Sequence, residues 1–121
     1  MNSIKSNKAG QTSMGQAIER VILANPRPEV TQEHLAAVAE AGRVLISAIP
    51  GVKRIAFGLA LANDAPYRLS VRILFQDDQA LQTYESHPNH SNFGVQQWSP
   101  IIAEQIIADY RVQYEDDVPT Q

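Results

Sequence analysis

The stretch VKRIAFGLALANDAPYRLSVRILF, residues 52 to 75, reads as two strands separated by a turn. In its first half Ile55, Phe57, Leu59 and Leu61 alternate with smaller or charged residues, and a period of two marks a strand with one face more deeply buried than the other. ANDAP supplies the turn. The second half repeats the pattern, with Leu69, Val71, Ile73 and Phe75 on one face and Ser70, Arg72 and Leu74 on the other. A β-hairpin in the middle of the chain is therefore expected.

Upstream of the hairpin, TQEHLAAVAEAGRVLISAI offers Thr31 as an N-cap, followed by Leu35, Val38, Ala39, Ala41, Leu45, Ile46 and Ile49 close to the spacing of one helical face. IPG at 49 to 51 ends that helix. Before it, AIERVILA (17 to 24) is short and β-branched, a first strand that the two prolines of NPRP should stop. Downstream, Asp77 or Asp78 can cap a helix over DQALQTYESH, and Pro88, which disfavours helical geometry at His87, should end or re-aim it. SPIIAEQ (99 to 105) predicts a short helix with Pro100 in its first turn, and IIADYRVQY (106 to 114) predicts a last strand.

Strand, helix, strand, strand, helix, strand is the α+β ferredoxin-like order βαββαβ, a four-stranded antiparallel sheet with helices on one side. One sheet face is left without helices, where a second subunit could sit. The faces concerned also carry Lys53, Arg54, Ser70 and Arg72.

At 121 residues the chain has the size of one domain, able to bury roughly two thirds of its unfolded surface. The folded unit is expected over 17 to 114. A polar N-terminal arm (1 to 16) and a tail (115 to 121) with almost nothing to bury are expected to be flexible. A net charge of -3 gives no electrostatic reason for nucleic acid or an anionic membrane as partner. Cysteine is absent, which excludes disulfides, thiolate ligands and cysteine nucleophiles, and fits a reducing compartment. The start carries no run like a signal peptide, and no later run approaches the ~18 apolar residues of a membrane span, so a cytosolic protein is expected. No isolated glycine belongs to a phosphate-cradling loop.

The chemistry concentrates in TYESHPNHSNFG, residues 83 to 94, which holds two of the three histidines beside a phenol. On a helix Tyr84 and His87 lie one turn apart, and the chain turning at Pro88 can bring His90 near them. Histidine can take and return a proton, and a phenol can polarise a carbonyl, which together suit enolisation or aldol chemistry. An imidazole also needs a partner to set its tautomer. Asp109, which interrupts an apolar strand, stands out among candidates that include Glu85, Glu104 and Glu19. Two other readings stay open. Histidines near a helix end can bond free carbonyls, and two histidines separated by two residues are plausible metal ligands, although neither an HExxH pattern nor a cysteine accompanies them. Arg20 and Glu19 are unusual in their apolar strand, and one of them should point toward the helices.

AIPGVKRIAFG, RILFQDDQALQTYESHPNHSNF and IIADYRV together resemble the stress-responsive A/B barrel (Dabb) family of the dimeric α+β barrel group, over about Ile18 to Val112. The resemblance implies two subunits packed sheet against sheet; no cofactor and no metal are expected, with a haem- or metal-dependent relative of the wider barrel group as a third possibility. It also brings a more distant likeness to the family's plant polyketide cyclase that forms olivetolic acid, which implies an intramolecular aldol catalyst. Through it, Tyr84 falls on the substrate-activating tyrosine, His90 on the general base and Asp109 on the aspartate that orients the base. His87 takes the first histidine of the HPxH signature. His87, Arg20, Ile22 and Phe93 are then expected against a small carbonyl-containing ligand. The family also includes stress-induced proteins without a settled activity and members with lyase chemistry, so a non-catalytic ligand-binding dimer is the alternative. Many members begin the first strand with a histidine where this chain has Arg20, whose charge would suit a carboxylate or enolate. Val38, Ala39 and Gly42 replace pocket aromatics, implying a wider or differently shaped pocket.

Overall fold

The computed structural model describes residues 16–116. The expected arm and tail lie almost wholly outside the described residues. The elements run β1 (Ile18–Pro26), α1 (Gln32–Ser47), β2 (Val52–Leu59), β3 (Leu69–Phe75), α2 (Asp78–Ser86), α3 (Pro88–Phe93) and β4 (Ile102–Arg111). The four strands form one antiparallel sheet in the order β2-β3-β1-β4, which is the ferredoxin-like arrangement.

The hairpin of residues 52 to 75 is present, with Ile55 opposite Ile73, Phe57 opposite Val71 and Leu59 opposite Leu69. Strand β2 stops at Leu59, and Leu61, expected to continue the alternation, is fully exposed. The connection is closed by Ala60 N–H donating to the Arg68 carbonyl at 2.8 Å. Asn25 of β1 anchors it from the side: its amide donates to the Pro66 carbonyl at 2.9 Å and its carbonyl accepts from Arg68 N–H at 2.9 Å.

Thr31 caps α1, its hydroxyl accepting from His34 N–H at 3.0 Å. The helix exit needs glycine: Gly51 has φ +91°, and a Cβ there would collide with Ala80 Cβ at the start of α2. Asp77 caps α2 by accepting from Ala80 N–H at 2.9 Å.

Two local expectations are corrected. Strand β1 does not stop before NPRP but runs on through Asn25 to Pro26, with a register irregularity between the two. Pro88 ends α2 and re-aims the chain, as expected. It is the first residue of α3, which continues through a π-helical turn, Gly94–Trp98, and a 3-10 turn, Ser99–Ile101. SPIIAEQ is helical only up to Ile101, and the last strand occupies Ile102–Arg111 rather than 106 to 114. The physical reason is pairing: Gln105, Glu104 and Ile102 find β1 partners at Ala24, Asn25 and Pro26, and those ladder bonds override a local helix preference.

The core lies between the helices and one sheet face. Phe75 and Ile73 of β3 meet Ile46 of α1 and Ile49 just beyond it, and these are the largest fully buried side chains. On the opposite face of β4, Ile106 and Tyr110 are about half exposed.

Candidate active site

Arg20, Ile22, Gln105 and Ile107 reach from β1 and β4 into a cavity of about 170 Å³ beneath the helices, whose roof includes Tyr84, His90 and Phe93. The β-strand period of two is what aligns the first four on one face: Arg20 pairs with Asp109, Ile22 with Ile107 and Ala24 with Gln105 in the β1–β4 register. Of the residues expected at the site, Arg20, Ile22, Tyr84, His90 and Phe93 line this cavity together. His87 and Asp109 are not among its lining residues.

Tyr84 occupies the last turn of α2 and is 4% exposed. Its ring meets Phe75 at 5.0 Å on a tilt of 60° and stacks on the His90 imidazole at 4.1 Å and 28°. Burial pushes the Tyr84 phenol up to about 12, an effect that the nearby Arg20 charge opposes. At neutral pH Tyr84 is therefore a neutral hydrogen-bond donor.

His90 is the third residue of α3, and the corner that presents it is built by HPN. Pro88 fills the first helical position, where no backbone N–H is needed. His87 Nδ1 caps the helix by accepting from Asn89 N–H at 3.0 Å. The Asn89 side chain donates to the Leu45 carbonyl at 2.9 Å, tying α3 to the last turn of α1. His87 thus holds the turn. His90 Nδ1 is buried without a hydrogen-bond partner among the described residues. Such a nitrogen costs about 1–3 kcal/mol when left unsatisfied, and the His90 residue lines the cavity.

The expected Asp109–His90 contact is not formed. Arg20 donates from Nε to Asp109 Oδ1 at 2.8 Å and from Nη2 to Oδ2 at 3.1 Å, so both carboxylate oxygens serve the guanidinium. The reason is register, which sets these two residues directly opposite on neighbouring strands. Arg20 Nη1 donates further to Glu85 Oε2 at 2.8 Å. These bonds, Asp109 foremost, hold the Arg20 pKa well above its ordinary value although burial opposes them. Arg20 carries one positive charge against two carboxylates, so it does not offer the free charge that the sequence suggests for a ligand carboxylate. Its Cζ lies 5.7 Å from the Tyr84 ring centroid, a cation–π distance.

The small residues of α1 act in two ways. At Gly42 a Cβ would stand 2.6 Å from Phe57 Cζ and 2.9 Å from Phe93 Cζ, so these rings occupy the space beside the helix. Toward the start of α1, Leu35, Ala36 and Ala39 border a second, mainly apolar cavity of about 350 Å³ against β2 and β3. Phe57, Val71 and Trp98 line both cavities.

Sequence reasoning missed Gln105, which it places in a helix. Trp98 Nε1–H donates to Gln105 Oε1 at 2.8 Å, and both side chains line the first cavity. The alternation Gln105, Ile107, Asp109 is the available signal, once the strand is known to begin at Ile102. Among the described residues there is no cluster of three or more His, Cys, Asp or Glu able to hold a metal ion, and no helix is long and apolar enough to cross a membrane.

Solved structures share this architecture. A dimeric ferredoxin-like protein of unknown function from Thermobifida fusca is 24% identical, with 84% of this chain and 96% of that chain covered and a TM-score of 0.72. A Dabb family protein with a ferredoxin-like fold from Mesorhizobium loti is 20% identical over 83% of this chain and 99% of that one, with a TM-score of 0.71. The hydroxynitrile lyase of Passiflora edulis is 10% identical, covering 85% and 99%, with a TM-score of 0.74. At these identities the likeness shows the fold alone. No curated protein matches the sequence. The profile described as the Stress responsive A/B Barrel Domain (Dabb) matches residues 18–112, nearly the whole described chain, and the protein belongs to that family.

Proposed function

We propose that the protein is a small homodimeric acid/base catalyst, of the aldol/cyclase or lyase type, acting on a carbonyl compound without a cofactor. The observation that carries this reading is the His90 imidazole stacked on a protonated Tyr84, with both residues lining one cavity. Tyr84 donates its O–H to the carbonyl oxygen, and His90 takes the proton from the adjacent carbon, so the electron pair of that C–H bond moves into an enolate. The enolate carbon then forms a C–C bond to a second carbonyl, whose oxygen receives the proton from His90. In the lyase direction the base takes a hydroxyl proton instead, a C=O forms as the C–C bond breaks, and the departing carbon, which keeps the electron pair, receives the proton back from His90. The guanidinium of Arg20, held by Asp109 and Glu85, lies against the Tyr84 ring and keeps the phenol in place. Asp109 is in this reading a positioning residue acting through Arg20.

The hydroxynitrile lyase of Passiflora edulis shares this fold, which accords with a lyase class. The Thermobifida fusca neighbour is described as dimeric, and the half-exposed Ile106 and Tyr110 give this chain apolar surface for sheet-to-sheet pairing. The cysteine-free sequence suits a reducing, cytosolic setting.

Incubating the purified protein with β-keto thioesters and oxo acids, beside His90→Ala, tests the reading. Turnover that is lost in the variant supports it, and turnover unchanged by His90→Ala removes the proposed base. A second reading, a non-catalytic ligand-binding dimer, draws on the structural role of His87 as the α3 cap. Under it His90→Ala lowers the melting temperature and leaves ligand binding intact.

A further inference from the structure

The cavity has polar groups at two separated places. Arg20, Tyr84 and His90 lie toward one end, while Gln105 stands four residues along β4 from Asp109, the cross-strand partner of Arg20. At the strand rise of about 3.3 Å per residue, the Gln105 and Asp109 backbones are about 13 Å apart. Ile22 and Ile107, paired across the strands, make the floor between them apolar.

The orientation of the Gln105 amide follows from its neighbour. An indole N–H can only donate, so the atom facing Trp98 Nε1 at 2.8 Å must be the carboxamide oxygen. The NH₂ group is thereby turned away from the indole, and no group among the described residues accepts a hydrogen bond from it. The result is an unpartnered donor on an exposed side chain that borders the cavity, whose lining beyond Arg20, Tyr84, His90 and Ser99 is mainly apolar and aromatic.

We infer that Gln105 is a second ligand-binding residue, donating its amide N–H to an oxygen of the ligand, and that the ligand is a dicarbonyl-type molecule. Its two oxygen acceptors are separated by a short apolar stretch. This rests on the reading in which Tyr84 engages a carbonyl: the first acceptor meets Tyr84, the second Gln105, and the intervening carbons lie against Ile22 and Ile107. A monoketone of the same length would satisfy only Tyr84.

Trp98 is the only tryptophan in the chain, so its indole N–H gives one resonance in a ¹H–¹⁵N spectrum and reports on the cavity directly. Titrations of the full-length protein with heptane-2,6-dione and heptan-2-one should give a dissociation constant about fivefold lower for the dione, as expected for one added hydrogen bond. Gln105→Leu should bring the two probes to the same affinity. Gln105→Glu keeps an acceptor for Trp98 but removes the donor, so it should also abolish the preference while leaving the indole resonance near its wild-type position. Tyr84→Phe should weaken both probes by a similar factor and keep their ratio. A dione preference that persists in Gln105→Leu overturns the inference and leaves the Tyr84 reading standing. Loss of the preference in Gln105→Leu, with both affinities unchanged in Tyr84→Phe, overturns the Tyr84 reading instead. Equal binding of the two probes by the wild type, or binding of neither, overturns the inference.

Discussion

Arg20 and Asp109 face each other across β1 and β4, and their side chains close a two-bond pair at 2.8 and 3.1 Å. Because both backbones belong to the sheet, the position of the guanidinium near Tyr84 is set by strand register and not by a loop. The Arg20 side chain is 14% exposed and that of Asp109 is 36% exposed, which leaves the arginine dependent on its carboxylates.

Replacing Asp109 by Ala should therefore destabilise the fold by about 1–2 kcal/mol, because Arg20 keeps only Glu85. Asp109→Asn should cost less, since one acceptor oxygen remains. Urea unfolding of the two variants checks the order. If activity is found, both variants should lower it through displacement of Arg20.

Raising the pH should expose the buried phenol of Tyr84. Its folded-state pKa of about 12 lies above the ordinary value of 10.0, so its contribution is fully present below pH 10 and is lost as pH rises toward 12. The loss should be roughly 2 kcal/mol, and Tyr84→Phe should lack it. Melting temperatures between pH 9 and 12, together with tyrosinate absorbance, measure the effect.

Substituting His90 by Phe should abolish proton transfer and lower turnover by at least about 100-fold. It should at the same time leave thermal stability unchanged or raise it, because a buried nitrogen without a partner is removed and an aromatic ring is kept against Tyr84. His87→Ala should behave in the opposite way, losing about 1 kcal/mol with the α3 cap, and His87→Asn should recover most of that. Paired melting and turnover measurements on the two histidines separate these roles.

Gly42→Ala should press on Phe57 and Phe93 and cost about 1–3 kcal/mol. Since both rings line the cavity, the same substitution should also weaken the binding of any ligand that fills it. Chemical denaturation and the Trp98 indole resonance check the two effects together.

The elements that sequence alone predicts well are those whose burial follows a simple period. Leu69, Val71, Ile73 and Phe75 alternate without interruption and are all buried in β3. Thr31 and Asp77 both cap helices as expected, because the capping bond reaches only three residues along the chain. The boundaries that shift are those decided by a distant strand. Asn25 and Pro26 stay in β1, and Ile102 to Gln105 leave the helix, because each segment supplies the other's pairing partner.

The candidate site divides along the same line. The sequence by itself determined the family, the strand order and the gathering of Tyr84 and His90, since both sit on one short segment around Pro88. It also marked Arg20 and Asp109 as unusual charges in apolar strands. Only the tertiary structure decided that these two pair with each other rather than with His90, that His87 caps α3, and that Gln105 accepts from the Trp98 indole. Each of these depends on which atoms meet across strands or at a helix corner, where a change of one residue in register moves a side chain to the opposite face of the sheet.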